Sequence, residues 1–237
     1  MQVKSTIDLM SGLGELVLNV LFPRRCVSCG KVGSYFCQNC VKKINYIRVP
    51  FCPICQKAAI DGATHPRCKS PRNIDGMYVL SYYKGPIKAA VKMLKYQLVS
   101  DIVDTLTDLL INNYPSFIPK FDTLVSIPLY PKRLRMRGFN QAQLLANSLG
   151  EKLNIKVNNK VLSRIKFSKP QVELRGGERR NNIRNSFVYN NSEEIKDKNI
   201  ALIDDVSTTG ATLFECSKIL KTHGADIVWG IVLAHGN

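Results

Sequence analysis

Seven of the chain's eight cysteines fall between Cys26 and Cys68, and six of them form C-x2-C pairs: Cys26/Cys29, Cys37/Cys40 and Cys52/Cys55. A fourth doublet, His65-x2-Cys68, closes the series. A C-x2-C pair sits on a tight turn that brings both sulfurs to one metal ion while backbone amides bond the sulfurs, and zinc takes four such ligands in a tetrahedron. The doublets therefore predict two structural zinc ions. We group Cys26, Cys29, Cys37 and Cys40 on one, and Cys52, Cys55, His65 and Cys68 on the other; spacing alone leaves an interleaved pairing open. With His65 included each set is closed, so the metals hold a fold rather than perform chemistry. A disulfide framework is not expected to show these spacings, so metal binding in a reducing cytosol explains them better.

The chain has 237 residues, enough for one medium domain and a small one. Residues 1–72 form one compositional unit, an apolar lead followed by cysteines, Pro and Gly. "KSPRNIDG" (69–76) reads as a polar linker, and a second unit runs over 76–237. There, strands expected at 77–83, 122–129, 198–205 and 225–234 alternate with helices expected at 86–97, 101–114, 140–153 and 210–224. That alternation predicts an α/β fold with a mainly parallel sheet. The most apolar stretch, "IDLMSGLGELVLNVLF" (7–22), is interrupted by Asp8, Glu15 and Asn19 and lacks an A-x-A-like cleavage site. It reads as an amphipathic helix packed on the rest of the protein, not as a membrane span or a signal peptide.

The segment "NIALIDDVSTTGATL" (199–213) carries the chemistry. A buried strand delivers Asp204 and Asp205 to the carboxyl edge of the sheet, where open α/β folds bind ligands. Residues 207–212 then turn into a helix. The hydroxyls of Ser207, Thr208, Thr209 and Thr212, the backbone N–H groups through Ala211, and the helix dipole make a cradle for a phosphate. Gly210 allows close backbone approach. The combination fits a ribose 5-phosphate, with phosphate in the turn and the 2- and 3-hydroxyls on the two aspartates. No G-x4-G-K-[ST] is present, which argues against a P-loop nucleotidase.

"IALIDDVSTTGAT" resembles the signature with which type I phosphoribosyltransferases bind phosphoribosyl pyrophosphate (PRPP). Together with the cysteine pairs, "IPLYPKRLRMRGFNQAQLLA" (127–146) and "ERRNNIRNSF" (178–187), the chain resembles the ComF family over nearly its whole length. The resemblance implies a type I phosphoribosyltransferase-like fold with an N-terminal double zinc ribbon. It implies a site for PRPP with Mg²⁺, transfer of the phosphoribosyl group to an acceptor as a candidate activity, and a role in DNA uptake by naturally competent bacteria. Asp204 and Asp205 become the catalytic pair. Arg137, Gly138 and Asn140 become contacts of the pyrophosphate, which needs fixed cations and amide donors. Gln171, Arg179 and Asn182 fall on a loop that closes over the substrate. His65 departs from the pattern, which leads one to expect a fourth cysteine pair.

Net charge is +16. Seven thiolates and two zinc ions lower it by three, to roughly +13, and the excess still calls for an anionic partner. Residues 163–185 hold seven Lys/Arg against two Glu, with no clear period. They read as a long loop that either covers a reacting substrate or clamps single-stranded DNA. Arg133 and Arg135 invite the same nucleic-acid reading. The rival to an enzyme is thus a non-catalytic DNA-binding or adaptor protein that keeps the transferase fold as sensor or scaffold, its ribbon contacting protein partners of the uptake machinery. Cys216, Trp229 and Tyr78 are expected to pack in the core.

Overall fold

The computed structural model describes residues 23–96, 101–115, 120–166, 183–191 and 194–236. β1 (Gly76–Tyr82), β2 (Thr123–Ser126), β3 (Lys156–Val157), β6 (Asn199–Ser207) and β7 (Ile227–His235) form one sheet in the order β1-β7-β6-β2-β3. Every pairing in it is parallel. Helices α2 (Gly85–Tyr96), α3 (Ile102–Asn112), α5 (Gln141–Leu153) and α6 (Ala211–Thr222) connect and cover the strands. This is the mainly parallel α/β architecture that the alternation predicts.

The central strand explains why. Ile200, Ala201, Leu202 and Ile203 are all fully buried, because a strand covered on both faces has no solvent side to alternate with. Ala201 and Ile203 pack with Leu94, Leu106 and Leu145. Ile200 and Leu202 pack on the opposite face with Leu213, Cys216 and Leu220. Each large apolar side chain so buried contributes about 1.5–3 kcal/mol. Trp229 lies in the first of these cores, its indole so close to β1 that a Cβ on Gly76 would come within 2.4 Å of it.

Three local features differ from the expectation. Residues 131–137, where no helix is expected, form a short helix α4 (Pro131–Arg137). Pro131 sets the first turn, and Gly138 ends it with a φ of 81° while its N–H bonds the Leu134 carbonyl at 2.8 Å. The stretch 163–185 is anchored at its base by an antiparallel pair, β4 (Leu162–Arg164) with β5 (Phe187–Tyr189). Residues 69–76 dock at their far end: Ile74 is 1% exposed, and Asp75 binds Lys221 at 2.6 Å and the Val228 N–H at 2.8 Å.

The cysteine-rich segment lies against the open edge of β1. The Ile47 N–H donates to the Leu80 carbonyl at 3.0 Å and the Tyr82 N–H to the Asn45 carbonyl at 2.9 Å. That pairing protects an edge that would otherwise invite intermolecular association. Among the described residues no helix is long and apolar enough to cross a membrane. The helix expected at 7–22 lies outside the described residues.

Candidate functional site

The four donors Cys26, Cys29, Cys37 and Cys40 lie within 4.8 Å of one another, as do Cys52, Cys55, His65 and Cys68. The structure therefore pairs neighbouring doublets and does not interleave them. α1 (Gln38–Val41) carries Cys40 back toward Cys37, the Cys40 N–H bonding the Cys37 carbonyl at 2.9 Å. The departure at His65 is accommodated. Its Nδ1 is 3.3 Å from Cys55 Sγ, and its Nε2 is 3.0 Å from the Ala58 carbonyl. A carbonyl only accepts, so Nε2 carries the proton and Nδ1 keeps its lone pair for a metal. Burial raises the Cys26 thiol, but the amides of Cys37, Ser28 and Cys29 outweigh it and bring the thiol to about 6. Closed sets of soft donors with amide-supported thiolates fit structural zinc.

Near the carboxyl edge of the sheet, β6 carries Asp204 and Asp205 just before its end at Ser207. Adjacent strand residues leave on opposite faces, so the two carboxylates have different surroundings. Asp205 is buried. Its Oδ2 contacts Lys95 Nζ, from the last turn of α2, and its Oδ1 accepts from Gln141 Nε2 at 3.3 Å. Gln141 Oε1 in turn accepts from Arg137 Nη1 at 2.6 Å. Asp204 is half-buried, and its Oδ1 accepts the Asp205 N–H at 2.8 Å. Burial first, and then the Asp205 charge, push the Asp204 carboxyl well above its ordinary range. Burial also opposes ionisation of Asp205, but Lys95 outweighs it and holds that carboxyl below the ordinary value. Lys95 is raised because Asp205 outweighs its own burial.

The turn after β6 is built for close approach. Gly210 has a φ of 74°, and a Cβ there would meet the Phe214 ring at 2.6 Å. Ala211 opens α6, its N–H 3.4 Å from Thr209 Oγ1. Thr208, Thr209 and Thr212 are half-buried. Ser207 is buried, and its Oγ finds no hydrogen-bond partner among the described residues. An orphaned hydroxyl beside a helix N-terminus suits an anion that supplies the missing acceptor.

The basic segment divides. Arg137 is half-buried and bound to Gln141, as above, and Gly138 follows it with open space where a Cβ would sit. Asn140 is used structurally: its Oδ1 caps α5 through the Ala142 N–H at 3.1 Å, and its Nδ2 donates to the Ile127 carbonyl at 3.0 Å. Lys132 and Arg135 face solvent. Gln171, Arg179 and Asn182 lie outside the described residues.

Three residues at this edge escape the sequence reading. Lys95 follows Ile87 and Val91 at helical spacing, so a lysine on an apolar stripe was the available signal. Arg164, in β4, stacks its guanidinium 5.2 Å over the Phe187 ring. His235 ends β7 beside Ser207 and touches the Phe51 ring at 5.0 Å, joining the ribbon to the start of the 207–210 turn; no local pattern announces either contact.

Known proteins resemble this chain over most of its length. Residues 17–69 match a family model described as a double zinc ribbon domain. Competence protein F of Haemophilus influenzae is 32% identical over 231 residues, which cover 90% of this chain and 98% of the relative. The DNA utilization protein YhgH of Salmonella typhi is 29% identical over 81% of this chain and 86% of its own length. Competence protein ComFC of Bacillus subtilis is 27% identical over 82% and 81% respectively. A looser likeness joins the adenine phosphoribosyltransferase of Leishmania tarentolae, with a TM-score of 0.38 and 15% identity over 70% of this chain and 79% of that one.

Proposed function

This chain belongs to the competence protein F family, the ComF family that its motifs resemble, and we propose that it binds PRPP with Mg²⁺ in the cytoplasm as part of DNA uptake or DNA use. On this reading a zinc-ribbon unit over 1–72 is joined to a phosphoribosyltransferase-like unit over 76–237. The observation that carries the proposal is the end of β6: a carboxylate pair, then a buried Ser207 hydroxyl without a partner among the described residues, then the Gly210 turn into α6. Each part answers one part of a phosphorylated sugar. The turn receives the 5-phosphate on backbone N–H groups and on the hydroxyls of residues 207–212. The carboxylate end of β6 faces the ribose hydroxyls. Arg137 and the backbone at Gly138 meet the pyrophosphate.

Such a site favours departure of pyrophosphate from C1 by charge placement. The leaving group gains negative charge as its bond to C1 lengthens, and Arg137 stands where that charge grows. That end of β6 keeps the ring oriented while positive character develops at C1. A nucleophilic acceptor then forms the new bond to C1. Magnesium arriving with PRPP would supply further neutralisation of the leaving group.

Calorimetric titration of PRPP, with and without Mg²⁺, tests the reading. Wild type binds and the Asp204→Ala/Asp205→Ala double variant loses at least about tenfold in affinity; undiminished binding by that variant refutes the assigned site. Net charge of +16 favours a second function on the same molecule, binding of single-stranded DNA by the exposed basic residues of α4 together with the basic residues of the sequence 163–185, with protein partners docked on the ribbon.

A further inference from the structure

Asp205 cannot turn to a sugar without abandoning partners it already holds. Lys95 lies against Oδ2 and Gln141 donates to Oδ1, so both carboxylate oxygens are engaged inside the protein. The line continues through Gln141 Oε1 to Arg137 Nη1 at 2.6 Å. Four elements meet in it: the end of α2, the end of β6, the start of α5 and the end of α4.

The direction of the chain follows from chemistry. An ionised carboxylate only accepts, so Gln141 must turn its NH₂ toward Asp205. Its carbonyl oxygen then faces the other way and can only accept, which suits the Arg137 guanidinium. Were Asp205 uncharged, a hydroxyl or amide there would donate, and Gln141 would have no fixed sense. Lys95 is what keeps a buried carboxylate ionised. Arg137, which ends a seven-residue helix and precedes a glycine with open space where a Cβ would sit, gains one hold from Gln141. A loose guanidinium there loses side-chain entropy on every binding event.

We propose that Lys95, Asp205 and Gln141 form a brace that positions Arg137 for the pyrophosphate end of the ligand, leaving Asp204 as the carboxylate that meets the sugar. The inference rests on the PRPP reading for its ligand, but not for its geometry. Asp205 is then a positioning residue rather than a diol contact, and the adjacent aspartates divide the ligand between them: one faces the sugar, the other acts at a distance on the pyrophosphate.

The full zinc-loaded chain is titrated separately with magnesium pyrophosphate and with ribose 5-phosphate. Lys95→Met and Gln141→Ala each weaken pyrophosphate about tenfold and change ribose 5-phosphate less than about twofold. Asp204→Asn does the reverse. Because Lys95→Met and Gln141→Ala cut the same line, the double variant is no weaker than the worse single one. Additive losses, or equal losses on both ligands, overturn the brace. Gln141→Ala together with Gln141→Glu carries the comparison if Lys95→Met does not fold. A second readout needs no ligand: the Arg137 Nη–H resonances in a ¹⁵N-labelled sample are sharp and slow to exchange in wild type, and broaden in Gln141→Ala. Failure of wild type to bind either compound removes the PRPP reading, while an Arg137 resonance indifferent to Gln141→Ala removes the brace.

Discussion

Burial and the Asp205 charge both disfavour ionised Asp204, so this carboxylate weakens the unliganded fold while equipping it for a ligand. A group whose folded pKa lies above its unfolded one contributes stability below the unfolded value and loses it as pH rises toward the folded value. Asp204→Asn keeps the acceptor for the Asp205 N–H and removes the charge. It should raise stability at neutral pH by about 1 kcal/mol, with the gain fading toward about pH 4. Asp205 has the opposite sign. Its folded pKa is lowered, so its contribution is present above the unfolded value and is lost as pH falls through the folded one. Asp205→Asn should therefore lower the melting temperature at neutral pH, the more so because it leaves the Lys95 ammonium partnerless in a poorly solvated site. Thermal melts of both variants across acid to neutral pH decide the matter; shifts of the same sign in both would refute the division of labour. Nothing in "IDDVS" distinguishes the two aspartates. Strand alternation separates their faces, but which face holds Lys95 depends on a helix about 110 residues earlier in the chain.

Elements long enough to show a period were legible, and those whose stability comes from elsewhere were not. β6 and β7 announced themselves as apolar runs, and α5 and α6 by helical spacing with Asn140 and Gly224 at their ends. α4 has only seven residues, four of them basic, so no apolar stripe marked it; a proline and a left-handed glycine make it. β4 and β5 are three residues each and exist through one another, with Leu162 and Phe187 buried. The doublet spacing left two groupings of the cysteines open, and proximity in the fold chose between them. A prediction belongs at this scale. His65 shares its cluster with Cys52, the residue after Phe51, and the stretch 45–51 runs from the edge of β1 to the His235 ring. His65→Ala should reduce zinc from two ions per chain to one, counted by native mass spectrometry. Amide exchange should quicken at Ile47 and Tyr82, whose N–H groups join that stretch to β1. Two retained ions, or unchanged exchange at both amides, would show that His65 supports neither the metal nor the edge.

For the molecule as a whole, the charge excess has a location as well as a size. Lys132 and Arg135 stand exposed on α4, with Met136 80% exposed between Arg135 and Arg137. Basic side chains interleaved with apolar ones, at the same edge of the sheet as the candidate sugar site, suit a polyanion that also offers flat apolar faces, and single-stranded DNA is one. Affinity from phosphate contacts arises from counterion release, so its logarithm falls linearly with the logarithm of salt, by about 0.7 for each phosphate neutralised on a single strand. Lys132→Ala with Arg135→Ala should therefore flatten that slope by about 1.4, measured by fluorescence anisotropy of a thymidine oligonucleotide across a salt series. Neither residue is assigned to the PRPP site, so affinity for PRPP should stay within about twofold. Met136→Ser removes an apolar contact without changing charge, and should weaken binding equally at all salt concentrations. An unchanged slope in the double variant would move the DNA surface away from α4. Parallel loss of DNA and PRPP binding would instead mean that the two anions compete for one basic groove.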